Sequence, residues 1–117
     1  MGNLLHIDDL VMVFLNQQYY YNPWDGRKEI PLFSREQMIR ALNLEGFTET
    51  YAQHLKKEGV RAIRSFIGVY VGGELGTLNF EPLFDIYHPE SEYFIIRKDQ
   101  IKSMSRINHE RVDWKSI

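Results

Sequence analysis

Two histidines and two glutamates in the C-terminal part of the chain have side-chain types that could bind a metal ion or exchange a proton. They are His88, Glu90, Glu92 and His109. Imidazole and carboxylate groups ligate transition metals and also serve as general acids and bases. No histidine stands in an HExxH pattern or an equivalent ligand spacing. A metal-assisted enzyme is therefore one hypothesis, while a turn at His88-Pro89 and a solvated tail explain the same residues without a metal.

The glycine-rich segment VGGELG matches neither of the common phosphate-binding motifs. A Walker loop requires Lys and Ser or Thr after its last glycine, and a dinucleotide fingerprint requires GxGxxG, and both open a helix. Here Gly76 is followed by Thr77 in a segment with strand character. Turn chemistry in a hairpin accounts for Gly72, Gly73 and Gly76. We therefore expect no catalytic residue, no metal and no cofactor.

The segment QQYYYNPWDGRKEI, residues 17–30, places aromatic side chains next to basic ones. These residues are Tyr19, Tyr20, Tyr21, Trp24, Arg27 and Lys28. Tyr, Trp and Arg are enriched at binding hot spots, and an arginine can stack on an exposed ring. Successive side chains point about 100° apart in a helix and to opposite sides in a strand, so the tyrosines cannot all enter one core. The pattern predicts a binding surface, with packing of the loop against the body as the structural alternative.

Two helix-like segments followed by a hairpin resemble a winged helix-turn-helix, which is a DNA-binding arrangement. Residues 27–64 contain eight basic and five acidic side chains, a local charge of +3. Asn43 stands where the turn of this motif normally has glycine, and Glu49 stands where its second helix buries an apolar side chain. The candidate nucleic-acid-binding residues are Arg35, Arg40, His54, Lys56, Lys57 and Arg61.

Helix signals are concentrated in the first half of the chain. In SREQMIRALNLEG, Ser34 and Gln37 form a capping box at the start of an apolar stripe. The segment TETYAQHLKKEG, residues 48–59, predicts a second helix with Thr48 as its N-cap. Residues 9–21 fit a helix by the spacing of their apolar side chains, although the run LVMVFL fits a buried strand equally well. We favour a helix that ends before Asn22-Pro23.

Strand signals dominate the second half. Alternating apolar residues and turns predict strands near 64–72, 77–87 and 93–98, and a further strand or short helix over 101–107. Since Pro82 cannot donate to a ladder, it places its strand at a sheet edge or beside a bulge. The predicted fold is α+β: two or three helices in the N-terminal half pack on a C-terminal antiparallel meander, within a single domain covering residues 1–117.

Composition limits the function further. The formal charge of −2 does not draw the whole molecule to nucleic acid or to an anionic membrane. The chain has no cysteine and no apolar run long enough to cross a bilayer, so we expect a cytoplasmic protein. We predict a small non-enzymatic binding or regulatory protein. It would hold a protein partner, a second copy of itself or a nucleotide-like ligand through residues 19–28, with the strand at 77–87 as a second surface.

Overall fold

The computed structural model describes residues 4–22, 29–41, 60–83 and 93–116. Over these residues the elements follow in the order β1 (Leu10–Tyr21), β2 (Glu29–Pro31), β3 (Phe33–Ser34), α1 (Arg35–Ala41), β4 (Arg61–Gly72), β5 (Thr77–Pro82), β6 (Tyr93–Arg97), a 3₁₀ helix (Lys98–Gln100) and β7 (Ile101–Arg106). The described residues therefore form a mostly β protein.

The predicted α+β architecture is wrong. One sheet of seven strands dominates the described residues, and α1 is a single short helix of seven residues. The helix expected over residues 9–21 is instead the strand β1, in which Val11, Val13 and Leu15 alternate with more exposed neighbours. Pairing with β4 on one side and with β7 and β3 on the other decides between two patterns that local periodicity left open. The helix expected over residues 48–58 lies outside the described residues.

Several local predictions are confirmed within this different fold. The Ser34 amide donates to Gln37 Oε1 at 2.8 Å, and the Gln37 amide donates to Ser34 Oγ at 3.1 Å, which is the expected capping box. Strands β4 and β5 form the predicted hairpin, and residues 101–106 form a strand rather than a helix. In addition to these predicted features, Trp114 of the C-terminal tail is buried and belongs to the hydrophobic core.

The strand that contains Pro82 is not at the edge of the sheet. The strand order is β2-β6-β5-β4-β1-β3, so β5 lies between β4 and β6. Among the described residues, the pairs of β5 with β6 run to Phe80 and Phe94, and Pro82 pairs with Gly68 of β4. The missing amide hydrogen of the proline interrupts none of these described β6 pairs.

The two margins of the sheet meet on one short segment. At one margin β2 pairs with β6 in parallel, and at the other β3 pairs with β1 in antiparallel fashion. Only Leu32 separates β2 from β3. The chain from 29 to 34 thus bridges the margins, and the sheet closes on itself.

Apolar side chains that point inward fill this closed sheet. Val11, Val13 and Phe80 are completely buried, as is Phe94. The Phe66 ring meets Phe80 and Phe94 edge to face, with centroids 5.5 and 5.2 Å away. Full burial of a side chain of this kind contributes about 1.5–3 kcal/mol. The core therefore fixes which face of each strand turns outward.

Candidate functional site

The three consecutive tyrosines of β1 lie on opposite faces of the sheet. Tyr19 and Tyr21 are only 3% and 2% exposed and belong to the core, where Tyr21 packs edge to face on Phe94 with centroids 4.9 Å apart. Tyr20 lies between them, is half-buried and faces outward. Of the three tyrosines predicted to bind a partner, only Tyr20 is on the accessible face.

Tyr20 stands in a row of outward residues that crosses three strands. Its cross-strand neighbours are Phe33 of β3 and Ala62 of β4, and both are exposed. The Gln18 amide donates to the Tyr20 hydroxyl at 3.3 Å, which orients the ring. We call Phe33, Tyr20 and Ala62 the aromatic row. No local sequence signal points to Phe33, because its place beside Tyr20 comes from a pairing between distant segments.

Exposed arginines lie near the aromatic row. Arg61 pairs in register with Tyr21 and so lies on the face opposite Tyr20, while Arg35 directly follows Ser34, which pairs with Tyr19. Arg64 lies two positions beyond Ala62 and is also exposed. Arg35 and Arg61 were predicted as nucleic-acid contacts, and the fold brings both to the end of β1 that carries Tyr20.

The other predicted site residues are not part of this surface as described. Arg40 lies on α1 and forms an exposed ion pair with Glu36 at 3.9 Å. The remaining members of the two predicted sets lie outside the described residues: Trp24, Arg27, Lys28, His54, Lys56 and Lys57.

The winged helix-turn-helix resemblance does not extend to the fold of the described residues. The β4–β5 hairpin, expected as a wing, is an internal part of the closed sheet. The described helix, α1, has seven residues and packs near β3 and β1. The segment expected to enter a groove, 48–58, lies outside the described residues.

The metal hypothesis finds no support within residues 4–22, 29–41, 60–83 and 93–116. Those ranges contain no group of three His, Cys, Asp or Glu residues placed to hold a metal ion. His109 occupies an exposed turn with φ of 70°, and its amide donates to the Arg106 carbonyl at 2.9 Å. His88, Glu90 and Glu92 lie outside the described residues.

Two titratable groups with shifted pKa values lie away from the aromatic row. Burial raises the pKa of the Tyr70 phenol, which points into the core from β4. The hydroxyl of Ser116 donates to Asp113 at 2.8 Å and lowers the pKa of that carboxyl in the tail. Both shifts have structural causes and indicate no acid–base pair.

A second group of outward side chains covers the N-terminal half of β1 and the adjoining part of β4. Leu10 pairs with Val69 and Met12 with Ile67, so these side chains are neighbours across the two strands. We call the whole group the outer apolar face. Its members are Leu10, Met12, Phe14, Ile67, Val69, Val71 and Leu83.

The outer apolar face departs from the usual pattern of an antiparallel sheet with one solvated side. Such strands normally alternate apolar and polar residues. Here Val11 and Val13 are completely buried, while their neighbours Leu10 and Phe14 are each 39% exposed. The continuous runs LVMVFL and FIGVYV are the sequence signal, because uninterrupted apolar strands are typical of burial on both faces.

Comparisons of the chain with protein-family models, curated protein sequences and solved structures found no significant match. Among the described residues, no helix is both long and apolar enough to cross a membrane. Function must therefore be argued from the two outward surfaces.

Proposed function

We propose that this chain is a small non-enzymatic binding protein whose aromatic row docks a partner-protein segment that carries both apolar and acidic side chains. One observation carries the proposal: Tyr20 faces outward between Phe33 and Ala62, whereas Tyr19 and Tyr21 enter the core. A ring held by strand pairing loses little conformational freedom when a partner covers it.

The chemistry of the partner follows from what surrounds Tyr20. Phe33 is 38% exposed and offers an apolar surface beside the phenol ring. Arg35 and Arg64 are exposed near this end of β1, whereas Arg61 pairs with the inward Tyr21 and so belongs to the opposite face of the sheet. Guanidinium groups bind carboxylates with good geometry, and charge complementarity favours an acidic segment. Tyr and Arg are also the residue types that most often dominate binding energy.

The partner would dock on the face of the sheet. Strand addition needs an unpaired sheet edge, but β5, the strand predicted to offer one, is paired on both sides through Phe80. The segment 29–34 bridges the two margins in the described part of the chain. Because the aromatic row lies on the outward face of β1, β3 and β4, we propose docking on that face through side chains.

Single-stranded nucleic acid is the second candidate for the same row. Aromatic rings beside arginines can stack bases, and such binding weakens steeply with salt. The exposed ring of Phe33 next to Arg35 is the observation in its favour. The formal charge of −2 opposes it, because it provides no general attraction for a polyanion.

Selection from a displayed library of random dodecapeptides tests the proposal. We expect enriched peptides that combine aromatic or aliphatic residues with Asp or Glu. Tyr20→Ala and Phe33→Ala would each weaken binding of a selected peptide at least about tenfold, as loss of a hot-spot side chain does. Phe14→Ala is the matched control, because Phe14 is 39% exposed on the same strand as Tyr20 but outside the aromatic row. It would leave peptide binding unchanged.

Two outcomes would overturn the proposal. One is a library without enriched peptides, and the other is peptide binding that Phe14→Ala reduces as much as Tyr20→Ala. A fluorescent oligothymidylate is titrated in parallel over a range of salt concentrations. Salt-sensitive oligothymidylate binding that is lost in Tyr20→Ala, without peptide enrichment, would instead establish the nucleic-acid candidate.

A further inference from the structure

We propose that the outer apolar face of β1 and β4 is the interface of a homodimer, in which the same face of a second copy covers it. This surface is separate from the aromatic row. The rows formed by Leu10–Val69 and Met12–Ile67 lie in the N-terminal half of β1, whereas Tyr20 is near its C-terminal end.

The face is continuous, which distinguishes it from scattered surface hydrophobics. Cross-strand pairs join Leu10 to Val69 and Met12 to Ile67. The Leu83 amide donates to the Ile67 carbonyl at 2.9 Å, so the adjacent position is also occupied by an apolar residue. Exposed members of the face range from 38% to 51% accessible. Isolated exposed apolar residues are ordinary, but a contiguous group marks an interaction site.

The border of the face contains small polar residues. Phe14 pairs with Ser65 on one side and with Ser103 on the other, and Met12 pairs with Ser105. Glu81, opposite Val69, is the charged residue in register with these rows. Serine side chains are short, so they let a second sheet approach closely without burying a charge.

A second copy fits this chemistry better than a charged partner. A two-fold interface brings the same surface patch together from both chains and must be complementary to itself. The rows at Leu10 and Met12 have apolar side chains on both β1 and β4, and Glu81 at the border, opposite Val69, is the charge that the interface must leave in contact with water. The formal charge of −2 per chain adds little repulsion between copies. Two sheets packed face to face lie about 10 Å apart, a spacing that such side chains fill.

The size of the face predicts a weak dimer. A stable interface of standard size buries about 800 Å² on each partner. The apolar members, none more than 51% exposed, supply only part of this area, and the serine border must supply more. Interfaces at the small end of the range are transient. We therefore expect dissociation in the micromolar range, at about 1–100 µM.

Sedimentation velocity of the full chain across that concentration range tests the inference. The wild-type weight-average mass would rise from one chain towards two. Ile67→Lys would keep the chain monomeric, because a lysine would be buried without a partner at the interface. Phe33→Ala is the control on the aromatic row and would still dimerise. A circular-dichroism spectrum unchanged from wild type shows that Ile67→Lys has folded.

Cross-linking gives a second readout that does not depend on a destabilising charge. The chain has no cysteine, so one introduced cysteine is unique. Met12→Cys would form an intermolecular disulfide under mild oxidation much faster than Leu75→Cys. Leu75 is fully exposed in the β4–β5 turn, but it lies outside the face, so dimerisation would not bring two copies of it together.

Three outcomes would overturn the dimer. The first is a wild-type chain that stays monomeric at every concentration. If Ile67→Lys also destabilised such a monomer, another segment of the same chain would cover the face. The second is disulfide formation at equal rates in Met12→Cys and Leu75→Cys. The third is dimerisation abolished by Phe33→Ala but not by Ile67→Lys. Failure of peptide binding at Tyr20 would leave this inference intact, because the two experiments use different surfaces.

Discussion

The side-chain amide of Gln100 donates to the carbonyl oxygen of Leu32 at 3.3 Å, although 68 residues separate them. Gln100 is 1% exposed and also accepts a hydrogen bond from the Arg97 amide at 3.0 Å. Leu32 lies between β2 and β3, and Gln100 ends the 3₁₀ helix between β6 and β7. One buried amide therefore joins the break between β2 and β3 to the 3₁₀ helix between β6 and β7.

Replacing Gln100 with methionine removes both hydrogen bonds while nearly conserving the side-chain volume. The Leu32 carbonyl would lose its partner in a buried setting and the Arg97 amide in a partly buried one, and an unsatisfied buried group costs about 1–3 kcal/mol. We expect Gln100→Met to lower the free energy of unfolding by about 2–4 kcal/mol, measured by urea denaturation. Gln17→Met is the control, because Gln17 is exposed in the irregular part of β1. It would change stability by less than about 1 kcal/mol, and an equal loss in both variants would contradict the role of Gln100.

Alanine substitutions along the tyrosine run separate core from surface. Tyr19→Ala and Tyr21→Ala each remove a buried ring and would cost about 3–5 kcal/mol, because large-to-small changes leave cavities. Tyr20→Ala removes a half-buried outward ring and would cost less than about 1.5 kcal/mol. Thermal and urea unfolding of the three variants measure these differences. A Tyr20→Ala variant as unstable as Tyr21→Ala would show that this ring supports the core and would weaken the aromatic row as a binding surface.

Local sequence signals correctly predicted those features of the fold that depend only on residues close together in the chain. The Ser34–Gln37 capping box and the glycine turn at 72–76 depend on neighbouring residues, and both are observed. The helix predicted over residues 9–21 is wrong, because a run such as LVMVFL has no period that separates helix from strand. Pairing with β4 and β7, at least forty residues away, decides between the two, and no local pattern contains this information.

The candidate site likewise combines features that local patterns predict with features that depend on pairing between distant segments. The alternation rule predicted that Tyr20 would lie opposite Tyr19 and Tyr21 if the segment were a strand, and it does. Phe33 and Ala62 could not be assigned to the same surface, because their positions follow from the register of three strands. The outer apolar face had a signal in its continuous apolar runs, but which face would remain uncovered depends on closure of the sheet.

Gly73 is the turn position at which a side chain would collide with backbone. A Cβ there would overlap the Thr77 carbonyl oxygen and lie 3.1 Å from Leu78 Cα. Gly76 has φ of +83° but open space around a Cβ, so alanine there meets only conformational strain of about 1–2 kcal/mol. We expect Gly73→Ala to be the more destabilising of the two, with faster hydrogen exchange of the β4–β5 amides. Equal losses would show that the turn can move to accept the methyl group.

Arg106 fixes the N-terminal segment to the sheet through a partly buried ion pair. Its guanidinium lies 3.0 Å from Asp9 Oδ2 and donates to the Leu4 carbonyl at 2.7 Å. The next residues are held to β4, since the Asp8 amide donates to the Tyr70 carbonyl at 2.8 Å. Arg106→Met would therefore lower stability by about 2 kcal/mol, as loss of hydrogen bonds to charged groups does.

Arg40→Met is the matched control for Arg106→Met. The Arg40–Glu36 pair is 3.9 Å long and its side chains are 79% and 84% exposed, whereas Arg106 and Asp9 are 18% and 23% exposed. Exposed pairs of this kind contribute about 0–1 kcal/mol, so Arg40→Met would leave the urea midpoint nearly unchanged. Hydrogen exchange at Asp8 and Tyr70 would accelerate only in Arg106→Met, because only that substitution releases the segment from the sheet. Acceleration in both variants would mean that general loss of positive charge, rather than the contact with Asp9, loosens the N-terminal segment.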